Sequence, residues 1–93
     1  MNEPAIDLGI ALAIVSSYKE IPVRDKTICF GEVGLSGEVR AVSMAQQRLQ
    51  EAKKLGFEEC ILPSVCLSEN LKADGIKVVG VSNVREAISY ILR

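Results

Sequence analysis

The chain contains no histidine and no tryptophan, and only two phenylalanines and two tyrosines among 93 residues. The missing histidine removes the usual general base, the usual zinc ligand and the usual switch near neutral pH. The few aromatics are not interleaved with basic residues, so no stacking ladder for single-stranded nucleic acid is present. An excess of positive charge is also lacking. Eleven Lys and Arg stand against twelve Asp and Glu, a net charge of −1, which excludes a chain-wide field drawing the molecule to nucleic acid or an acidic membrane. Cys29, Cys60 and Cys66 are odd in number and follow no C-x-x-C spacing. They are expected to be reduced thiols in or near the core, with no metal or redox role, in a cytoplasmic protein. The longest uninterrupted apolar run, Ile10 to Val15, is far short of the ~20 residues that span a bilayer. No basic n-region marks a targeting peptide.

What is present is a globular composition, 48% apolar and 25% charged, of a length that supports one domain with a modest core. Asn2-Glu3-Pro4 opens a helix with a cap, an acid and a proline where its missing N–H costs nothing. Ala5 to Val15 is apolar around most of its circumference, which predicts a buried central helix that needs partners on several sides. Strands ahead of residue 1 are therefore expected. Ile21-Pro22 and the charged Arg24-Asp25-Lys26 turn lead to two β-prone runs, Thr27–Val33 and Glu38–Val42, joined at Ser36-Gly37 as a hairpin. Ser43-Met44-Ala45-Gln46 fits a capping box, with Ser43 and Gln46 exchanging side-chain to backbone hydrogen bonds. The helix it starts carries Ala45, Leu49 and Ala52 on one face, Lys53 and Lys54 in its last turn, and a left-handed stop at Gly56.

Phe57–Leu62 reads as a strand ended by Pro63, Ser68–Asp74 as a helical turn closed by Gly75, and Ile76–Val81 as a second strand. The link between those strands is long enough for a parallel crossover. Asn83-Val84-Arg85-Glu86 repeats the capping-box pattern, and Val84, Ala87, Ile88, Ile91 and Leu92 form one helical stripe. The expectation is an α/β or α+β sandwich of helices on a mixed sheet. No internal repeat or low-complexity tract is present.

Four blocks carry a family resemblance: EPAIDLGIALAIVSS at Glu3–Ser17, GEVGLSGEVRAV at Gly31–Val42, RLQEAKKLGF at Arg48–Phe57 with Ile61–Pro63, and GIKVVGVSNVREAISYIL at Gly75–Leu92. They cover most of the chain and resemble the C-terminal Lon-protease-like domain of the bacterial RadA (Sms) DNA-repair family. Ala41 departs from the proline usual after GEVR, and Gly9 stands where alanine is common. The resemblance implies a Lon-type, ribosomal protein S5 domain 2-like fold, with 1–93 as one partial domain whose N-terminal strands lie outside it. It also implies a parent that is a DNA-dependent ATPase assembled as a hexameric ring. ATP, Mg and Zn would belong to other parts of that parent, since no zinc-finger, Walker or KNRFG segment occurs here. Neighbouring subunits of a homo-oligomeric ring and DNA would be its partners, with recombination proteins as further candidates and no membrane.

Lon peptidases place a Ser nucleophile at the start of the buried helix and a Lys base at the start of the helix after the hairpin. Through the matching blocks, these positions fall on Ala5 and Gln46. A methyl group cannot attack, and a carboxamide does not titrate near neutrality and cannot take a hydroxyl proton. No catalytic residue is expected. Ser16, Ser17 and Ser43, with Lys19, would serve a divergent Ser/Lys peptidase, but helix-end Ser and Lys are commonly capping or solvated groups. Asp7 is a lone helix-terminal carboxylate. Gly31, Gly34 and Gly37 lack the Lys-Ser/Thr of a phosphate loop and read as hairpin glycines. Arg24, Lys26, Arg40 and Arg48 could form a nucleic-acid-facing patch in a stand-alone binding module, against an ordinary solvated surface. The leading expectation is a non-catalytic scaffold and oligomerisation domain, with an auxiliary DNA contact left open.

Overall fold

A strand that lies at the centre of a parallel sheet is covered on both faces, so it reads as a continuous apolar run. Cys60-Ile61-Leu62-Pro63 is such a run. In a computed structural model, which describes residues 8–9, 26–67 and 71–91, every residue of β4 (Glu59–Pro63) is buried. β4 pairs in parallel with β1 (Thr27–Cys29) on one side and with β5 (Lys77–Val81) on the other, giving the order β1-β4-β5. A separate antiparallel ribbon joins β2 (Glu32–Val33) to β3 (Val39–Arg40). Helix α1 (Ala45–Lys54) precedes β4, a 3-10 turn (Ser64–Cys66) follows it, and α2 (Val84–Ile91) follows β5.

The alternation of side chains along the strands produces two apolar layers. On one face Ile61 and Val81 pack with Ala87 and Ile91 of α2, with Val39 of the hairpin and with Leu8. On the other face Cys60 and Leu62 pack with Leu49 and Ala52 of α1 and with Ile76. The described residues thus form an α/β domain with helices on both faces of a parallel sheet. Leu8 and Gly9 are helical and Leu8 is fully buried, in keeping with a buried first helix; residues 5–7 and 10–15 lie outside the described residues.

Among the described residues, parallel and antiparallel pairing are kept in separate sheets, where the sequence suggested one mixed sheet. The reason is a break in the expected Thr27–Val33 strand. Phe30 N–H still donates to Ile61 O at 2.9 Å, but Gly31 O accepts from Leu8 N–H at 2.9 Å, and the chain leaves the parallel sheet there. A Cβ on Gly31 would lie 2.8 Å from Val39 Cγ1 and 3.2 Å from Leu8 Cβ. Only glycine lets helix, strand and hairpin meet so closely. The hairpin turn itself is as expected: Gly37, at φ 82°, donates to Gly34 O at 3.0 Å.

Helix boundaries show some expectations met and others corrected. α1 ends in a Schellman motif, with Gly56 at φ 94° donating to Lys53 O and Phe57 N–H donating to Ala52 O, both at 3.1 Å. Its start is not a Ser43 capping box. The cap is Met44, in the left-handed region at φ 58°, and no side chain caps it. At α2 the box does form: Asn83 Oδ1 accepts from Glu86 N–H at 2.9 Å, while Glu86 Oε1 accepts from Ser82 N–H at 2.6 Å, one residue earlier than the usual partner. Residues 71–73 are not helical, 68–70 lie outside the described residues, and Gly75 closes the turn at φ 84°.

Cys29 and Cys60 sit on neighbouring strands, and both thiols are pushed up to about 12 from an ordinary 9.0. Burial is the larger cause for each, followed by the Glu59 charge for Cys29 and by Cys29 for Cys60. Between these two values the unfolded chain holds fewer protons than the folded one, so stability is complete below about pH 9 and is lost as pH rises toward 12. Urea unfolding from pH 8 to 11 is expected to show this decline, and Cys60→Ala to reduce its slope. An unchanged slope in that variant would contradict the assignment.

Candidate functional site

Of the two positions that would carry hydrolysis, Ala5 lies outside the described residues, and so do Asp7, Ser16, Ser17, Lys19 and Arg24. Gln46 is well defined. It is the second residue of α1, and its side chain reaches across to the segment before β5. Its Nε2 donates to Lys72 O at 2.9 Å, and its Oε1 accepts from Lys72 N–H at 2.6 Å. The amide pairs with the Lys72 backbone as a second peptide group would. It does not turn back to Ser43, as the capping-box reading required. A lysine ammonium has donors only and would satisfy the Lys72 carbonyl while leaving its N–H without this acceptor.

The Ser43 carbonyl accepts from Arg48 Nε at 2.9 Å, and that guanidinium lies 5.7 Å from the Phe30 ring centroid. Of the other basic candidates for a nucleic-acid patch, Lys26 faces Glu58 at 3.7 Å, and Arg40 bridges Glu38 at 3.0 Å and Glu32 at 3.7 Å; Arg24 lies outside the described residues. Lys26 and Arg40 are thus paired with carboxylates. Gly31, Gly34 and Gly37 belong to the hairpin and its approach; Gly37 meets the N-terminus of α2, where its carbonyl accepts from Val84 N–H at 2.9 Å, and no Lys-Ser/Thr follows these glycines as a phosphate loop requires. Among the described residues, no group of three His, Cys, Asp or Glu is placed to hold a metal ion, and no helix is long and apolar enough to cross a membrane.

Sequence reasoning missed Glu59. It opens the central strand and is only 8% exposed. The strand register sets Thr27, Glu59 and Lys77 in one row across the sheet. Thr27 Oγ1 donates to Glu59 Oε1 at 3.0 Å, the Tyr90 hydroxyl of α2 donates to Oε2, and Lys77 Nζ lies 3.8 Å from Oε2. Lys77 also sits 5.5 Å from the Tyr90 ring centroid. The knot lies at the amino ends of the strands, whereas open α/β sheets bind ligands outside the carboxyl ends. Its role is to pin α2 to the sheet. A polar residue heading an otherwise apolar strand was the available signal.

Two clefts open beside α2. One, of about 470 Å³, lies between β5 and α2 and is lined by Val79, Gly80, Val81, Arg85, Glu86, Ser89 and Tyr90. The other, of about 340 Å³, is lined by Ser36, Gly37, Asn83, Val84 and Arg85. Neither lining holds a Lys or His to activate Ser36 or Ser89, and the Glu86 carboxylate is engaged at the helix cap.

Removing the Glu59 carboxylate strands two hydroxyls, so Glu59→Ala is expected to cost about 2–4 kcal/mol in urea unfolding. The Lys77 side chain is 64% exposed, and Lys77→Met is expected to cost less than about 1 kcal/mol. Equal costs would contradict the pinning role.

Comparison with known proteins agrees with the resemblance in its coarser form. The chain is 49% identical over 88 residues to the DNA repair protein RadA of Bacillus subtilis (strain 168), covering 95% of this chain and 19% of that protein. It is 45% identical over 91 residues to DNA repair protein RadA of Aquifex aeolicus (strain VF5), and 44% identical over 91 residues to that of Streptococcus pyogenes serotype M1. Each of these covers 98% of this chain and 20% of the relative. The chain therefore spans about a fifth of the length of the curated relatives it matches. The family described as subunit ChlI of Mg-chelatase matches residues 2–65, more than half the chain, and it is to this family that the chain belongs.

Proposed function

We propose that this chain is a non-catalytic, Lon-like scaffold and oligomerisation domain of a RadA-type DNA repair and recombination protein. The observation that carries the reading is the Gln46 amide, engaged at both ends by the Lys72 backbone. At the position where a Lon peptidase needs a titrating amine, the side chain is a neutral structural clamp. The alignment that puts Ala5 at the nucleophile position supports the same conclusion. In this proposal the parent is a cytoplasmic DNA-dependent ATPase in a hexameric ring. ATP, Mg and Zn serve other segments of it, and this domain supplies contacts between subunits. The similarity to DNA repair proteins RadA supports the repair context.

A direct DNA-binding role for this chain finds less support, because Lys26, Arg40 and Arg48 are held by Glu58, Glu38, Glu32 and the Ser43 carbonyl. Hydrolysis is the sharper alternative. A serine-directed fluorophosphonate probe, followed by a peptide-cleavage assay, is expected to give no labelled serine and no turnover. Labelling of Ser16, Ser17 or Ser43 with turnover would overturn the non-catalytic reading. For the scaffold role, deleting this domain from the full protein is expected to lower its oligomeric state in mass photometry. An unchanged state would overturn that role.

A further inference from the structure

The turn between β2 and β3 holds one large apolar side chain clear of the rest of the chain. Leu35 is 106% exposed, yet the turn that carries it is firmly braced. Gly34 N–H donates to Glu38 O at 2.9 Å and Ser36 N–H to Glu38 Oε1 at 3.0 Å. Arg40 Nε and Nη2 donate to Glu38 Oε2 at 3.2 and 3.0 Å. The Glu38 carboxyl is held below its usual range, first by its own backbone N–H and then by Arg40. A mobile loop would fold a leucine back against the surface; this loop fixes it outward, which lowers the ordering cost of inserting it elsewhere.

The same chain offers a matching recess. The β5–α2 cleft is lined by Val79, Gly80 and Val81 of β5 and by Ser89 and Tyr90 of α2. β5 is the outermost strand of the described sheet. At the mouth stands Arg85, exposed and without a hydrogen bond or ion pair among the described residues. The hairpin has the opposite balance, two carboxylates, Glu32 and Glu38, around the single Arg40. Glu86 of the cleft lining is engaged by Ser82 N–H at 2.6 Å, so Arg85 is the charge of the recess without a described partner, opposite in sign to the hairpin carboxylates.

We propose that the Leu35 tip of one copy seats in the β5–α2 cleft of a second copy, with Arg85 facing the hairpin carboxylates. The inference rests on the subunit-contact reading above and names the surface that makes the contact. Because knob and recess are different surfaces, the contact is heterologous and repeats from one copy to the next.

The test uses the full-length protein with p-benzoylphenylalanine in place of Leu35. Irradiation is expected to join position 35 to the peptide spanning residues 77–91 of another copy. Leu35→Asp, whose side chain has no intrachain packing to lose, is expected to weaken self-association at least tenfold in sedimentation while leaving circular dichroism and the melting midpoint unchanged. Arg85→Glu is expected to weaken it as well, and the loss to be partly reversed when Glu32→Arg, which leaves the Glu38 brace in place, is combined with it. A cross-link to another region of the protein or to a different protein, or undiminished assembly of Leu35→Asp, would overturn the hairpin contact and leave the scaffold reading standing. A full-length protein that stays monomeric at every concentration would overturn both.

Discussion

The carboxylate of Glu59 governs how the sheet and its helices fit together. A strand covered on both faces has no water to spare for a charge, and an unpaired carboxylate there would cost several kcal/mol. The fold meets this demand from three directions. Thr27 supplies a hydroxyl from β1, Lys77 an ammonium from β5, and Tyr90 a hydroxyl from α2. Each donor is usable only if its element sits in one register. The buried charge thus ties strand order, strand register and the placement of α2 into a single condition.

From that frame the other features follow. With β4 fixed, Leu8 and α2 cover one face and α1 the other. The hairpin is drawn to the end of β5, where Val39 N–H donates to Ser82 O at 2.9 Å and Gly37 O accepts from Val84 N–H at 2.9 Å. Gln46 adds a tie between α1 and the chain entering β5. That side chain thereby acts on architecture, and the β2–β3 turn is braced as a projection by Glu38 and Arg40.

Much of this was legible in the residues. The Ser36-Gly37 turn, the Gly56 stop, the parallel pairing of the strands near residues 60 and 78, and the Asn83 cap each rest on local chemistry, and local chemistry prevailed at those places. What escaped depended on partners far along the chain. The Thr27–Val33 run contains nothing that marks its break, because the cause is the approach of Leu8 and Val39 to Gly31. Gln46 looked like a capping residue three positions after Ser43, but a backbone pair 26 residues away at Lys72 offered it both a donor and an acceptor. Nothing within the Phe57–Leu62 run names the partners of Glu59, because Thr27 and Lys77 reach it only through the strand register.

The central claim is that Gln46 works as a clamp on the backbone and that no base stands at its position. Amide hydrogen exchange at Lys72 reads that clamp directly, because its N–H is bound to the Gln46 carbonyl oxygen. The account predicts a protected Lys72 amide in the native protein and fast exchange in Gln46→Lys, with the amides of β4 unchanged. Equal exchange at Lys72 in the two proteins would contradict it.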